Sequence, residues 1–238
     1  MLKELINKFV YSDRKEELQI KKFEQMINFA ESVIQKGDST LKEKHPVLDI
    51  IRLLGRRTQS EMISDILHSE EEVHAPNHSL ERLLFNHTIL LTEDGRDLID
   101  FKKRVRSERA IKLKRDLVLP TPGKQSKLLQ TLTKIGFDRE WGPWTQDRVN
   151  HKVEVWLPMG IAWVHSGNHS IIAGIIRSEG IIKTNNIYDI SEIYRYVYCD
   201  GLNFYRKEDN SIIAPVQNLE FAAIFEIGRR MKEKKISF

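Results

Sequence analysis

The stretch Ile161-Ala162-Trp163-Val164-His165-Ser166-Gly167-Asn168-His169-Ser170, continued by Ile171-Ile172-Ala173-Gly174-Ile175-Ile176, decides the fold. A short run rich in β-formers enters a Gly-Asn-His-Ser turn, and a second apolar run begins at once. This reads as strand, tight turn, helix, with Ser170 as N-cap and Gly167 supplying the backbone angles of the turn. Such a helix start points unpaired backbone N–H groups outward and suits an anion, most often a phosphate. His169 and the Asn168 amide sit at that mouth as proton shuttle and hydrogen-bond partner. The plainer reading is that His169 caps the turn and pairs with a backbone carbonyl.

Elements on either side extend the pattern. Val153, Val155 and Leu157 alternate as a strand does, and Pro158 with Gly160 parts them from Ile161. Asp116-Leu117-Val118-Leu119 reads as a strand stopped by Pro120-Thr121-Pro122-Gly123. Leu128, Leu129, Leu132 and Ile135 mark a helix ending at Gly136, and Trp141-Gly142-Pro143-Trp144 is a loop. Tyr194, Tyr196, Tyr198 and the Asp200-Gly201 turn predict a hairpin through Phe204. A last amphipathic helix carries Phe221, Ile224, Phe225 and Gly228.

The first hundred residues read as helical. Leu2, Leu5, Ile6 and Phe9 share one face, and Asp13 opens a longer helix that Gly37 ends. Pro46 starts a segment with Val47, Ile50, Ile51 and Leu54 that Gly55 closes. Met62, Ile63, Ile66 and Leu67 predict a short helix. The run Leu80 to Leu91, after the Ala75-Pro76-Asn77 break, predicts another. The fold class is therefore α+β, with a helical N-terminal region over 1–105 followed by an α+β domain over 106–238.

Composition sets limits. The 238 residues hold one cysteine, Cys199, so an intrachain disulfide or a cysteine-based zinc site is excluded. No apolar run approaches the ~18 residues of a membrane span, and the N-terminus lacks a signal-peptide core, so no membrane role and a cytoplasmic location are expected. The net charge of +4 is uneven: eight basic residues from Lys102 to Arg115 face only Glu108 and Asp116. That window carries +6, which leaves −2 elsewhere. Lys103, Arg104, Arg106 and Arg109 are its candidate nucleic-acid contacts, since concentrated positive charge attracts phosphate backbones. A solvated helix face is the alternative for such a run.

His151, after Asp147 and Arg148, would join His169 as an acid–base partner if their strands are neighbours. No His-x-x-x-His pair is present, so no metal site is assigned. His165 alternates out of its strand, and His68, His74, His78 and His87 have no ligand rhythm. Trp141, Trp144, Trp156 and Trp163 crowd around the turn, as core or as stacking surfaces. No Walker loop, nucleophile elbow or dinucleotide glycine fingerprint occurs, and no cofactor is implied.

The order of elements resembles the ParB/sulfiredoxin superfamily: a strand ending in Pro-x-Pro, a Leu-rich helix ending in Gly, two strands, then Gly-x-His at a helix start. Gly167, His169 and Ala173 fall on its Gly-x-His-Arg-x-x-Ala pattern. The chain also resembles an uncharacterised bacterial and phage family with a Pro-x-Gly-Ile-x-Trp-Val-x-x-Gly-Asn-His-Ser-Ile segment, matched from Pro158 to Ile171. The first resemblance implies a ParB/sulfiredoxin-like domain over 106–238 that binds a nucleotide or nucleic acid, with a nuclease or nucleotide hydrolase among its activities. On that reading His169 is the acid–base group, Asn168 the orienter, and Gly167 with Ser170 the phosphate cradle. The second implies a setting in phage–host conflict. Ser170 stands where the superfamily has arginine, so a charge-assisted fork is replaced by a hydroxyl; Lys124 or Lys127 is then the source of the missing charge. The competing function is a non-enzymatic module whose N-terminal helices bind a protein partner or self-associate.

Overall fold

The computed structural model describes residues 2–38, 44–68, 83–121 and 123–238. The Ala75-Pro76-Asn77 break, His74, His78, the start of the Leu80 run and Pro122 lie outside them, as do the side chains of Leu2, Leu5, Ile6, Phe9, Asp13 and His68. The chain has an α+β fold. It begins with α1 (Leu2–Lys36) and α2 (Val47–Ser64), and a 3-10 turn (Asp65–His68) follows α2. Strands β1 (Lys103–Arg104), β2 (Arg109–Lys112) and β3 (Val118–Leu119) lead to α3 (Gln125–Lys134). After β4 (Lys152–Leu157) and β5 (Ile161–Ser166) comes α4 (Asn168–Arg177), then β6 (Ile181–Thr184) and β7 (Ile187–Asp189). The chain ends with β8 (Val197–Cys199), β9 (Asn203–Arg206), β10 (Ile212–Pro215) and α5 (Leu219–Glu233).

Five strands form the main sheet in the order β1-β7-β4-β5-β3; β10-β9-β8 and β2-β6 form two smaller ones. β4 and β5 pair antiparallel, Val155 opposite Ala162, whereas β3 runs parallel to β5, Val118 opposite Ala162. Val153 to Leu157 are buried without alternation, as befits a strand covered on both faces. The largest core cluster joins Phe23, Ile27 and Ile51 of the N-terminal helices to Phe204 and Phe225, so it draws on both sides of residue 105. A second cluster, with Ile111, Val153, Ile171 and Ala173, packs α4 on the sheet.

Several N-terminal expectations are corrected. α1 runs unbroken through Asp13, and Gly37 does follow its end. Gly55 does not close α2. It lies buried within the helix, where a Cβ would fall 2.3 Å from Leu117 Cδ2, so the missing side chain admits the neighbour. Met62 and Ile63 belong to the last turn of α2 rather than to a separate helix. Leu83 is helical, and the expected helix does not continue past it: from Leu84 to Leu91 the chain is irregular, although Leu84, Phe85 and Leu91 are buried and supply core without helical period. Tyr194 belongs to a 3-10 turn, while the hairpin itself spans β8 and β9 as expected.

Gly174 faces a comparable constraint on α4. A Cβ there would meet Leu113 Cδ1 at 2.5 Å and the Glu179 carbonyl oxygen at 2.8 Å. Gly174→Leu is expected to destabilise the protein by about 1–3 kcal/mol through overpacking. A wild-type denaturant midpoint in that variant would show that α4 has room to move.

Candidate functional site

β5 ends at Ser166, and Gly167 turns the chain into α4 with φ 81° and ψ 20°. Left-handed angles favour glycine, and packing demands it too: a Cβ would lie 2.4 Å from His151 Cδ2. Gly167, not Ser170, is the N-cap, and Ser170 lies inside the first turn. The first intrahelical bond runs from Ile171 N to the Gly167 carbonyl (3.0 Å), so the N–H groups of Asn168, His169 and Ser170 precede the ladder.

The Ser170 hydroxyl donates to the Gly167 carbonyl (3.0 Å) and meets His151 Nε2 at 2.6 Å. His151 Nδ1 accepts the Asp147 backbone N–H (3.0 Å), which assigns the ring proton to Nε2 and makes Ser170 Oγ its acceptor. A serine beside a histidine is here the reverse of an activated nucleophile, because the imidazole gives its proton to the hydroxyl instead of taking one. Burial holds the His151 pKa below its ordinary value, against the pull of the Asp147 carboxylate. Its ring stacks on Trp144 (centroids 5.0 Å, planes 14° apart), and Trp144 Nε1 donates to the Ser170 carbonyl (2.6 Å). His151 is a buried clamp.

His169 stands apart from this clamp. It lines an open cleft of about 490 Å³ with Thr121, Gly123, Lys127, Trp141 and the Gly167 turn. Nε2 is shielded from solvent and has no hydrogen-bond partner, and a Cβ on Gly123 would lie 3.2 Å from it. Burial first, and then the Lys127 charge, depress the His169 pKa, while a hydrogen bond to the Lys124 backbone opposes them. The imidazole is therefore neutral near pH 7. Asn168 does not orient it: Asn168 Oδ1 accepts the Thr121 N–H (2.9 Å) and ties the end of β3 to the start of α4. Thr131 Oγ1 donates to the His169 carbonyl (3.3 Å), binding α3 to the same turn.

Lys127 reaches the cleft and Lys124 caps α3 beside it with an exposed side chain. α4 begins at this cleft, α3 borders it with Lys127, Gln130 and Thr131, and no described carboxylate lines it. Among the described residues, no group of three or more His, Cys, Asp and Glu side chains comes together.

The basic stripe is not one surface. It is extended, and its side chains part. Lys102 pairs with the buried Glu154 (2.6 Å), and Lys103 pairs with Glu192. Arg109 donates to the Phe238 carbonyl (3.3 Å), Arg106 is exposed, and Arg104 turns to another cleft. His165 is exposed, 3.6 Å from Glu154. Trp144 and Trp156 are buried, Trp163 is half-buried, and Trp141 stands at the cleft rim. Burial pushes the Cys199 thiol up to about 12, which leaves it inert.

Sequence reading missed the Trp144–Ser170 and Thr121–Asn168 links, which join residues far apart in the chain. The turn that presents His151 did carry a local sign, since Asp147 Oδ1 accepts the N–H groups of Val149 and Asn150 (2.8 and 3.1 Å). Among the described residues no helix is long and apolar enough to cross a membrane. Comparison with curated proteins and with solved structures finds no match. Residues 7–238 match the sequence profile of DUF6710, a family of unknown function, and the chain belongs to that family.

Proposed function

We propose that this protein binds a phosphate-bearing ligand, a nucleotide or nucleic acid, in the cleft at the Gly167 turn. The observation that carries the reading is that the start of α4 shares one cleft with Lys127 of α3, which has no ion-pair partner among the described residues. The early N–H groups of α4 would donate to phosphate oxygens, and the Lys127 ammonium would balance their charge. The ParB/sulfiredoxin-like reading belongs with this proposal. A strand, a Leu-rich helix, two strands and Gly-x-His at a helix start follow in that order, with Lys127 in the cleft where Ser170 replaces arginine. With His151 clamped, His169 and the exposed His165 are the histidines that line the cleft, and cleavage of the ligand would depend on His169 at the start of α4.

A thermal-shift screen with inorganic phosphate and nucleotides tests the proposal. A ligand at 100 times its Kd stabilises the fold by about 2.7 kcal/mol. Lys127→Ala is expected to abolish that shift, and His169→Ala to weaken it. His169→Ala should cost about 0.5–1.5 kcal/mol of stability, the worth of the one hydrogen bond to the Lys124 backbone, since Nε2 leaves no partner behind. An anion beside His169 raises its depressed pKa, so binding takes up a proton and affinity should rise as pH falls through the pKa of the imidazole in the complex. No shift with any phosphate compound, or an undiminished shift in Lys127→Ala, would overturn the reading. The second reading, docking through the N-terminal helices, has in its favour the exposed Leu18 and Phe29 on α1 and Leu53 on α2. Light scattering on Leu18→Glu/Phe29→Glu tests it, since loss of self-association would support that reading.

A further inference from the structure

On the other side of the His151 clamp lies a second cleft, of about 330 Å³. Four cations from separate segments line it: Arg104 of β1, Arg148 of the loop before β4, Lys152 of β4 and Lys183 of β6. Glu108 is the one carboxylate in that lining, and none of the four cations is in an ion pair with a described residue. Some cations elsewhere are paired. Lys102, Lys103, Arg115 and Lys134 each have a carboxylate partner. Four cations against Glu108 in the lining, with Asp147 close enough to feel Lys152, leave an excess of positive charge, and an anion relieves its repulsion.

The cations are also held in place. The Gln146 side chain donates to the Lys183 carbonyl (2.9 Å) and accepts the Lys183 N–H (2.8 Å), joining the Arg148 loop to β6 as a strand partner would. Lys152 Nζ donates to the Arg148 carbonyl (3.0 Å), which fixes two cations relative to each other. Thr184 Oγ1 donates to the Val153 carbonyl (2.8 Å) and closes β6 onto β4. Positive charge on a braced frame is the arrangement that recognises phosphate groups at fixed spacing. No aromatic residue except the clamped His151 lines the cleft, so recognition rests on phosphate and not on base stacking.

We propose that this cleft is a second anion site, separate from the Gly167 turn, that binds consecutive phosphate groups through Arg104, Arg148, Lys152 and Lys183. Two sources share this chemistry: a single-stranded nucleic-acid backbone and a free polyphosphate chain. The test uses the full chain and the triple variant Arg104→Ala/Arg148→Ala/Lys183→Ala. All three side chains are exposed, so the variant is expected to keep its melting temperature.

Binding is read by anisotropy of a fluorescein-labelled 20-nucleotide single strand across a salt series, and by thermal shift with tripolyphosphate. If the source is a nucleic acid, the triple variant binds the strand at least about tenfold more weakly. Its salt slope falls by about 0.7 for each lost contact, about 2 in all. If the source is free polyphosphate, tripolyphosphate stabilises the wild type, the triple variant loses that shift, and the strand does not bind. Either outcome supports the site. It is overturned if neither probe binds the wild type, or if the triple variant binds as the wild type does. Because that variant retains Lys127 and the Gly167 turn, the inorganic-phosphate shift there succeeds or fails independently.

Discussion

Gly167→Ala is expected to lose about 2–5 kcal/mol of stability. A left-handed residue with a Cβ costs about 1–2 kcal/mol in backbone strain. The new methyl would also stand 2.4 Å from the His151 ring, which is itself wedged against Trp144 and cannot retreat. Overpacking of that kind adds about 1–3 kcal/mol. Urea unfolding checks the figure, and a midpoint close to wild type would mean that the turn is not held as described.

His151→Ala should cost about 2–4 kcal/mol. It removes the acceptor of the Asp147 N–H and the donor to Ser170 Oγ, two part-buried hydrogen bonds worth about 0.5–1.5 kcal/mol each. It also removes a stacked ring, worth about 0.5–1.5 kcal/mol more. Acid separates this clamp from a catalytic histidine. The folded His151 has a pKa below its ordinary value, so the unfolded chain takes up a proton first, near pH 6.5. Stability contributed by the neutral ring is thus complete above about pH 6.5 and is lost as pH falls through the folded pKa. Unfolding measured at pH 7.5 and pH 5 should show a smaller acid loss in His151→Ala than in wild type. An equal loss in both would sink the clamp.

The region that matters most was legible where local rules act alone. Strand, glycine and helix from Ile161 to Arg177 follow from alternation, one residue free of a Cβ, and helical apolar spacing. The helix at Leu128 and the strand at Val118 follow from the same signals, although the strand begins two residues later than Asp116. Rules failed where a residue answers to a distant neighbour. Ser170 has the chemistry of an N-cap, but its hydroxyl is taken by Gly167 and His151. Gly55 has the look of a stop, yet it makes room for Leu117. Phe85 and Leu91 are apolar because of the core they fill, and no period reveals that they lie in a loop. The basic run does not stay together as a stripe: Lys103 pairs with Glu192, and the cations that line a cleft with Arg104 come from residues 148–183.

β3 and β5 are neighbours in the sheet, yet α3 and the Trp141–Trp144 loop are inserted between β3 and the hairpin that contains β5. The roof of the first cleft is thus an insertion on a fixed floor. It is pinned at Thr131 and Trp144, while Phe137, between those pins, is 77% exposed. Doubling the length of a flexible loop costs only about 0.6 kcal/mol in closure entropy. Insertion or deletion at that tip would therefore reshape the cleft at little thermodynamic penalty. The floor strands would keep their register throughout, so the shape of the cleft and foldability can evolve on separate parts of the chain.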